Sequence, residues 1–156
     1  MDTLYHISLF LHSWNRWLIL LAGILVIIFA ISGLTNRKSY SDAQRKLMLV
    51  FIISLHTQLL IGLLQYFFLS PFTAMALRDF GAAMKDSTLR FWAVEHTLVN
   101  VIAIALAQTG SILLKKRTDD RQKHRTALIW TSIAIIFILL VIPTGMMGVE
   151  RPWFRF

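Results

Sequence analysis

The sequence contains no cysteine, only three prolines and only eight acidic residues among 156. Without sulfur ligands the chain builds no disulfide framework, no thiolate metal site, no iron–sulfur cluster and no C-x-x-C-H haem attachment, so any haem it binds is held non-covalently. Charge is scarce as well. Charged residues make up 15% of the chain against roughly 25% in an ordinary soluble domain, while 56% are hydrophobic and the mean hydropathy is +0.63. No Walker loop, dinucleotide glycine pattern or nucleophile elbow is present, and the seven glycines are scattered, which argues against soluble catalysis.

What is present is four long apolar runs, at about 4–34, 47–69, 91–114 and 127–142. A helix needs about 20 apolar residues to cross a bilayer, so these runs predict an all-α fold, an integral membrane bundle of four transmembrane helices forming a single domain over 1–156. The first run has a largely apolar leader instead of a basic n-region and a small-residue cleavage site, and reads as a retained helix rather than a signal peptide. Ser41 before Asp42 predicts an N-cap for the second span, Ser70-Pro71 closes it, and Asp119 or Asp120 is expected to start the fourth. The connection from Ser70 to Leu89 carries a mildly amphipathic run, Phe72 to Met84, that fits an interfacial helix over one mouth of the bundle.

The formal net charge is +8. Nucleic acid is not the expected partner, because the basic residues sit between spans: Arg37, Lys38, Arg45 and Lys46 in one connection, and Lys115, Lys116, Arg117, Arg121, Lys123 and Arg125 in another. The positive-inside rule places both on the cytoplasmic side and both termini on the non-cytoplasmic side, as expected for a multi-pass membrane protein. Trp14, Trp17, Trp92 and Trp153 then gather at the outer boundary, and the tail from Arg151 to Phe156 reads as an interface anchor.

Against this apolar background the polar residues inside spans carry information, since an ionisable group at a helix centre costs roughly 2.5–3.5 kcal/mol on insertion scales. They are His12 and Arg16 in span one, His56, Gln58 and Gln65 in span two, and Glu95, His96 and Asn100 in span three. Three histidines on three helices mark His12, His56 and His96 as candidate ligands for haem iron or a divalent metal. Counted at about 1.5 Å per residue from the basic ends, His56 lies about 15 Å deep, His96 about 28 Å and His12 about 33 Å. A His12–His96 pair and a His56–His96 pair both stay open, while His124 at the inner surface matches neither.

Helical spacing puts His96, Asn100, Ala103, Ala107 and Gly110 on one face, and His12, Arg16, Ile19, Gly23 and Ala30 on another. Such a face is either a slot for a flat ligand or a close helix–helix seam. On span two, Gln58, Gly62 and Gln65 share a face nearly opposite His56. Arg16 and Arg90, at the outer ends of their spans, are candidates for pairing with haem propionates, with neutralisation of Glu95 as the plainer role of Arg90.

The segments Leu11-His12-Ser13-Trp14-Asn15-Arg16-Trp17, His56-Thr57-Gln58 with Gly62 and Tyr66, Arg90-Phe91 with Glu95-His96, and Lys123-His124-Arg125 resemble those of small four-helix bacterial membrane proteins of cytochrome b-like type. That resemblance implies a membrane cytochrome with non-covalent haem b that exchanges electrons with a quinone or a redox protein. It implies His12, His56 and His96 as ligand candidates, with Arg16 and Arg90 beside them. With only His124 on the inner side, one haem is expected rather than two.

The rival expectation is a zinc or copper site built from His12, His56, His96 and Glu95, in transport or oxidase assembly. A third is a non-redox accessory or proton-conducting subunit in which the histidines and Glu95 form a hydrogen-bond chain. Assembly into an oligomer is open in all three.

Overall fold

The computed structural model describes residues 2–145 and 149–152. It is all-helical, with 84% of the described residues in helix and no strands among them. The order is α1 (Asp2–Thr35), α2 (Asp42–Leu64), a π-helical turn (Gln65–Leu69), α3 (Pro71–Arg78), α4 (Phe80–Ala83), α5 (Ser87–Arg90), a second π-helical turn (Phe91–Glu95), α6 (His96–Lys116) and α7 (Asp120–Leu140). Four helical stretches, Thr3–Thr35, Asp42–Leu69, Ser87–Lys116 and Asp120–Leu140, are long and apolar enough to cross a membrane. At 1.5 Å per residue α1 is about 50 Å long, well beyond the roughly 30 Å of a hydrocarbon core.

The four long helices form a ring in which α1 packs on α2 and α7, α6 packs on α7, and the α2–α6 seam is the thinnest. The shared core runs through Ile19, Val26, Phe51, Leu55, Ala103 and Ala134, all buried. Outward positions are apolar too: Leu60, Phe67 and Phe68 are 68, 61 and 72% exposed.

Local chemistry sets the element ends. Ser41 closes a full capping box with Gln44, and Asp119, not Asp120, caps α7 by accepting from the Gln122 N–H. The run from Phe72 to Met84 is not one interfacial helix. Ser70, Asp79 and Asp86 each accept from a backbone N–H three residues on, and each starts a separate short helix. Of these, α3 lies against both π-helical turns. Past α7, Thr144 pairs antiparallel with Glu150, and the Arg151 N–H donates to the Pro143 carbonyl at 3.0 Å, bringing the chain back onto the bundle end. Of the expected tail anchor, Trp153 to Phe156 fall outside the described residues.

Candidate functional site

A cavity of about 160 Å³ opens at the end of the bundle where α1 begins, α2 ends, α6 begins and α7 ends. One buried water needs only about 10–15 Å³, so these side chains surround room for a ligand. Two of the five histidines on the long helices, His12 and His96, line it, together with Arg16, Gln58, Gly62, Gln65 and Asn100.

His12 of α1 faces His96 of α6 with ring centroids 6.3 Å apart and planes inclined by 48°. The His96 Nδ1–H donates to the carbonyl of Val141 at 3.0 Å. Val141 is the C-cap of α7, whose terminal carbonyls have no helical donor; His96 satisfies one of them and is thereby fixed in the tautomer that leaves Nε2 unprotonated. Phe91 and Trp92 pack against the same ring at centroid distances of 5.7 and 5.3 Å. His12 differs, because its Nδ1 is buried with no hydrogen-bond partner. Opposite it stands Gly62, where an added Cβ would come no closer than 3.6 Å, to His12 Cε1.

An amide network holds the turn that carries His12. Gln58 donates to the His12 carbonyl at 3.0 Å, and Asn15 donates to both Gln58 Oε1 at 2.8 Å and the Ser54 carbonyl at 2.9 Å. Gln65 donates to Ser8 Oγ at 3.3 Å, so the polar face of α2 both lines the cavity and ties α2 to α1. On the other side, Asn100 donates to the His96 carbonyl at 2.7 Å.

The π-helical turns flank the site, as π-bulges often do. Each frees carbonyls from the regular ladder, and hydroxyls take them up. Tyr66 donates to Ala93 O at 3.0 Å, Thr97 to Trp92 O at 3.3 Å, and Thr73 to Tyr66 O at 2.7 Å. Tyr66, Thr73, Trp92 and Thr97 thus become cavity wall. Nothing in the apolar periodicity announces these turns; Tyr66 and Trp92 read as ordinary span-end aromatics.

Several expectations are corrected. His56 does not join the other two histidines: it is exposed on the outer face of α2, and its Nδ1–H donates back to the Ile52 carbonyl of its own helix at 2.8 Å. Arg90 is not on the cavity wall. Its Nε–H donates to Glu95 Oε1 at 2.8 Å and its Nη1 to the Met84 carbonyl at 3.2 Å, which takes Glu95 as well. Among the described residues no group of three or more His, Cys, Asp or Glu side chains is arranged to hold a metal ion, so the constellation of His12, His56, His96 and Glu95 does not form.

The small-residue faces split in use. His96 and Asn100 line the cavity, but Ala103 and Ala107 are buried against neighbours, and a Cβ at Gly110 would run into Trp130 of α7. Arg16 does line the cavity, with its Nη2 reaching Ser13 Oγ at 3.4 Å and its guanidinium 5.6 Å from the Trp17 ring.

The chain matches no family model, no curated protein and no solved structure.

Proposed function

We propose that the chain is a multi-pass protein of the bacterial cytoplasmic membrane, with both termini on the non-cytoplasmic side, that holds one b-type haem between His12 and His96 and relays electrons to or from a quinone or a redox protein. The reading rests on the facing pair of imidazoles. The ring centroids of two imidazoles that held one metal ion at the usual bond length of about 2 Å would lie up to about 6 Å apart. The observed separation is 6.3 Å. One ring has a buried nitrogen lacking any partner, and the other has its second nitrogen spent on a carbonyl, the outer arrangement that orients a ligand histidine and raises its basicity.

Bound there, the haem would supply one-electron chemistry at its iron. The protein's part is positional. Val141 holds the His96 ring, Gln58 and Asn15 hold the turn of His12, and Leu9, Ile19, Leu55 and Ile104 on the wall keep water out. Arg16 adds a positive charge that favours an acidic ligand and a higher reduction potential. The orientation is supported by the basic residues gathered at the opposite end of the bundle. A zinc or copper ion would need a third or fourth ligand that the described residues do not bring to the pair.

The test is an absorption spectrum with metal analysis on detergent-extracted wild-type protein expressed with haem supplied. A Soret band with about one iron per chain, lost in His12→Ala and in His96→Ala, is expected. Colourless, iron-free wild-type protein would overturn the proposal.

A further inference from the structure

One cation on the cavity wall has a setting that a lipid anchor does not need. Arg151 is placed by its backbone, through the bond to Pro143 O and the adjoining Thr144–Glu150 pairing. Its guanidinium lies over two aromatic faces at once, 5.0 Å from the Phe72 centroid and 5.3 Å from that of Trp92. Stacking on rings from α3 and from the turn preceding His96 restrains the plane of the fork, and leaves its N–H edges to an acceptor.

That acceptor is not supplied by the cavity. Neither Asp nor Glu lines it, and among the described residues the three carboxylate pairings go to Arg45, Arg90 and Lys123. A preset guanidinium facing a space lined by two imidazoles and no acid is built for an acid carried by the ligand. We propose that Arg151 is the carboxylate-recognising residue of this cavity and pairs with an acidic group of the ligand that His12 and His96 hold. The inference rests on the haem reading, in which those acidic groups are the propionates, and it gives the role first expected of Arg90 to a residue in the segment after α7.

The experiment is a chemical cycle. Apo protein in detergent is titrated with haem and with haem dimethyl ester, in which both propionates are neutral, and the Soret change is followed for wild type, Arg151→Gln and Arg151→Lys. Wild type should bind haem about tenfold or more tighter than the ester, in keeping with a charge-assisted bidentate bond. Arg151→Gln should lose most of that preference by weakening haem binding while ester binding stays nearly constant. Arg151→Lys, which keeps the charge and loses the fork, should fall between, so a Gln variant that fails to fold leaves the lysine variant as the arbiter. Wild-type preference retained in full by the variants would overturn the role of Arg151 and leave the haem reading standing. Absence of any Soret change in wild type would overturn both.

Discussion

The bundle places histidine at both ends and treats it in opposite ways: His12 and His96 are half-buried, His124 fully buried. At the cavity end, His12 and His96 stand on either side of open space; a buried Nδ1 without a partner occurs at both ends, on His12 and on His124, and does not separate them. At the basic end, His124 of α7 is 1% exposed. Its Nε2–H donates to the Lys38 carbonyl at 3.1 Å, Tyr40 packs edge-on at 5.1 Å, and a Cβ at Gly33 would collide with the ring. Here the imidazole is a strut. It pins the α1–α2 connection, where Arg37 takes up φ 50° and Lys38 N–H closes back on Gly33 O at 3.1 Å, the geometry of a helix C-cap usually given to glycine. Buried imidazole alone therefore does not mark a ligand site. What the haem proposal rests on is the unfilled volume beside the ring and the second imidazole across it.

The hardest way to break this contrast is to exchange losses between the two ends. His96→Ala and His12→Ala should each abolish haem retention and leave a folded, colourless protein. His124→Ala should keep the pigment and lose stability by about 2 kcal/mol, since it strands the Lys38 carbonyl and opens a void. His124→Gln, which can still donate to that carbonyl, should recover part of the loss. Spectra and thermal unfolding of the four purified variants are the check; loss of pigment with His124→Ala would show that the two ends are not separate.

Glycine sharpens the comparison at a smaller scale. Gly33 and Gly62 each face a histidine ring, but only at Gly33 is the ring where a Cβ must go. Gly33→Ala should destabilise by about 1–3 kcal/mol through overpacking, with haem affinity little changed. Gly62→Ala meets ordinary contact distances and removes a flexible residue from α2, so the apo protein should be unharmed or stabilised by up to about 1 kcal/mol. Gly62→Phe should fill the space beside His12 and block haem uptake while the fold persists. Unfolding midpoints paired with haem titrations decide it, and a Gly62→Phe variant that binds haem normally would place the ligand elsewhere.

How much of this was legible in the sequence follows from which interactions repeat. The four long apolar helices, the Ser41 cap and the polar residues His12, Gln58 and His96 within the helices come from periodicity and from residues that are costly in an apolar run, all signals of single helices, while depth alone left both His12 and His56 open as partners of His96. Which way His56 points is not such a signal. Its helix has a polar face on each side, and the choice was made by Gln58 and Gln65, whose bonds to α1 turn His56 outward. Arg90 could reach either Glu95 or a ligand, and the π-helical turn at 91–95, invisible in the hydrophobic pattern, brings the carboxylate to it. Arg151 was hidden for another reason: nothing in a basic-aromatic tail tells that its backbone returns to Pro143. Pairings between elements remote in sequence were the part left unread.

The smallest expected effect concerns the phenol beside the strut. Tyr40 is nearly buried between the α1–α2 connection and His124, and burial pushes its pKa up from 10.0 to about 12, against a weaker opposing pull from the Arg45 charge. The folded state therefore holds this proton more tightly than the unfolded chain does. The stability linked to it is complete below about pH 10, the unfolded value, and drains away as pH climbs through about 12. Lysines titrate over part of the same range, so the measurement is a difference: thermal midpoints of wild type and Tyr40→Phe between pH 9 and pH 12 at about half-unit steps. Wild type should fall more steeply than the variant above pH 10, while the His12–His96 spectrum changes only when the whole bundle melts. Parallel curves would mean that the phenol is not part of the strut, and that His124 alone carries the basic end.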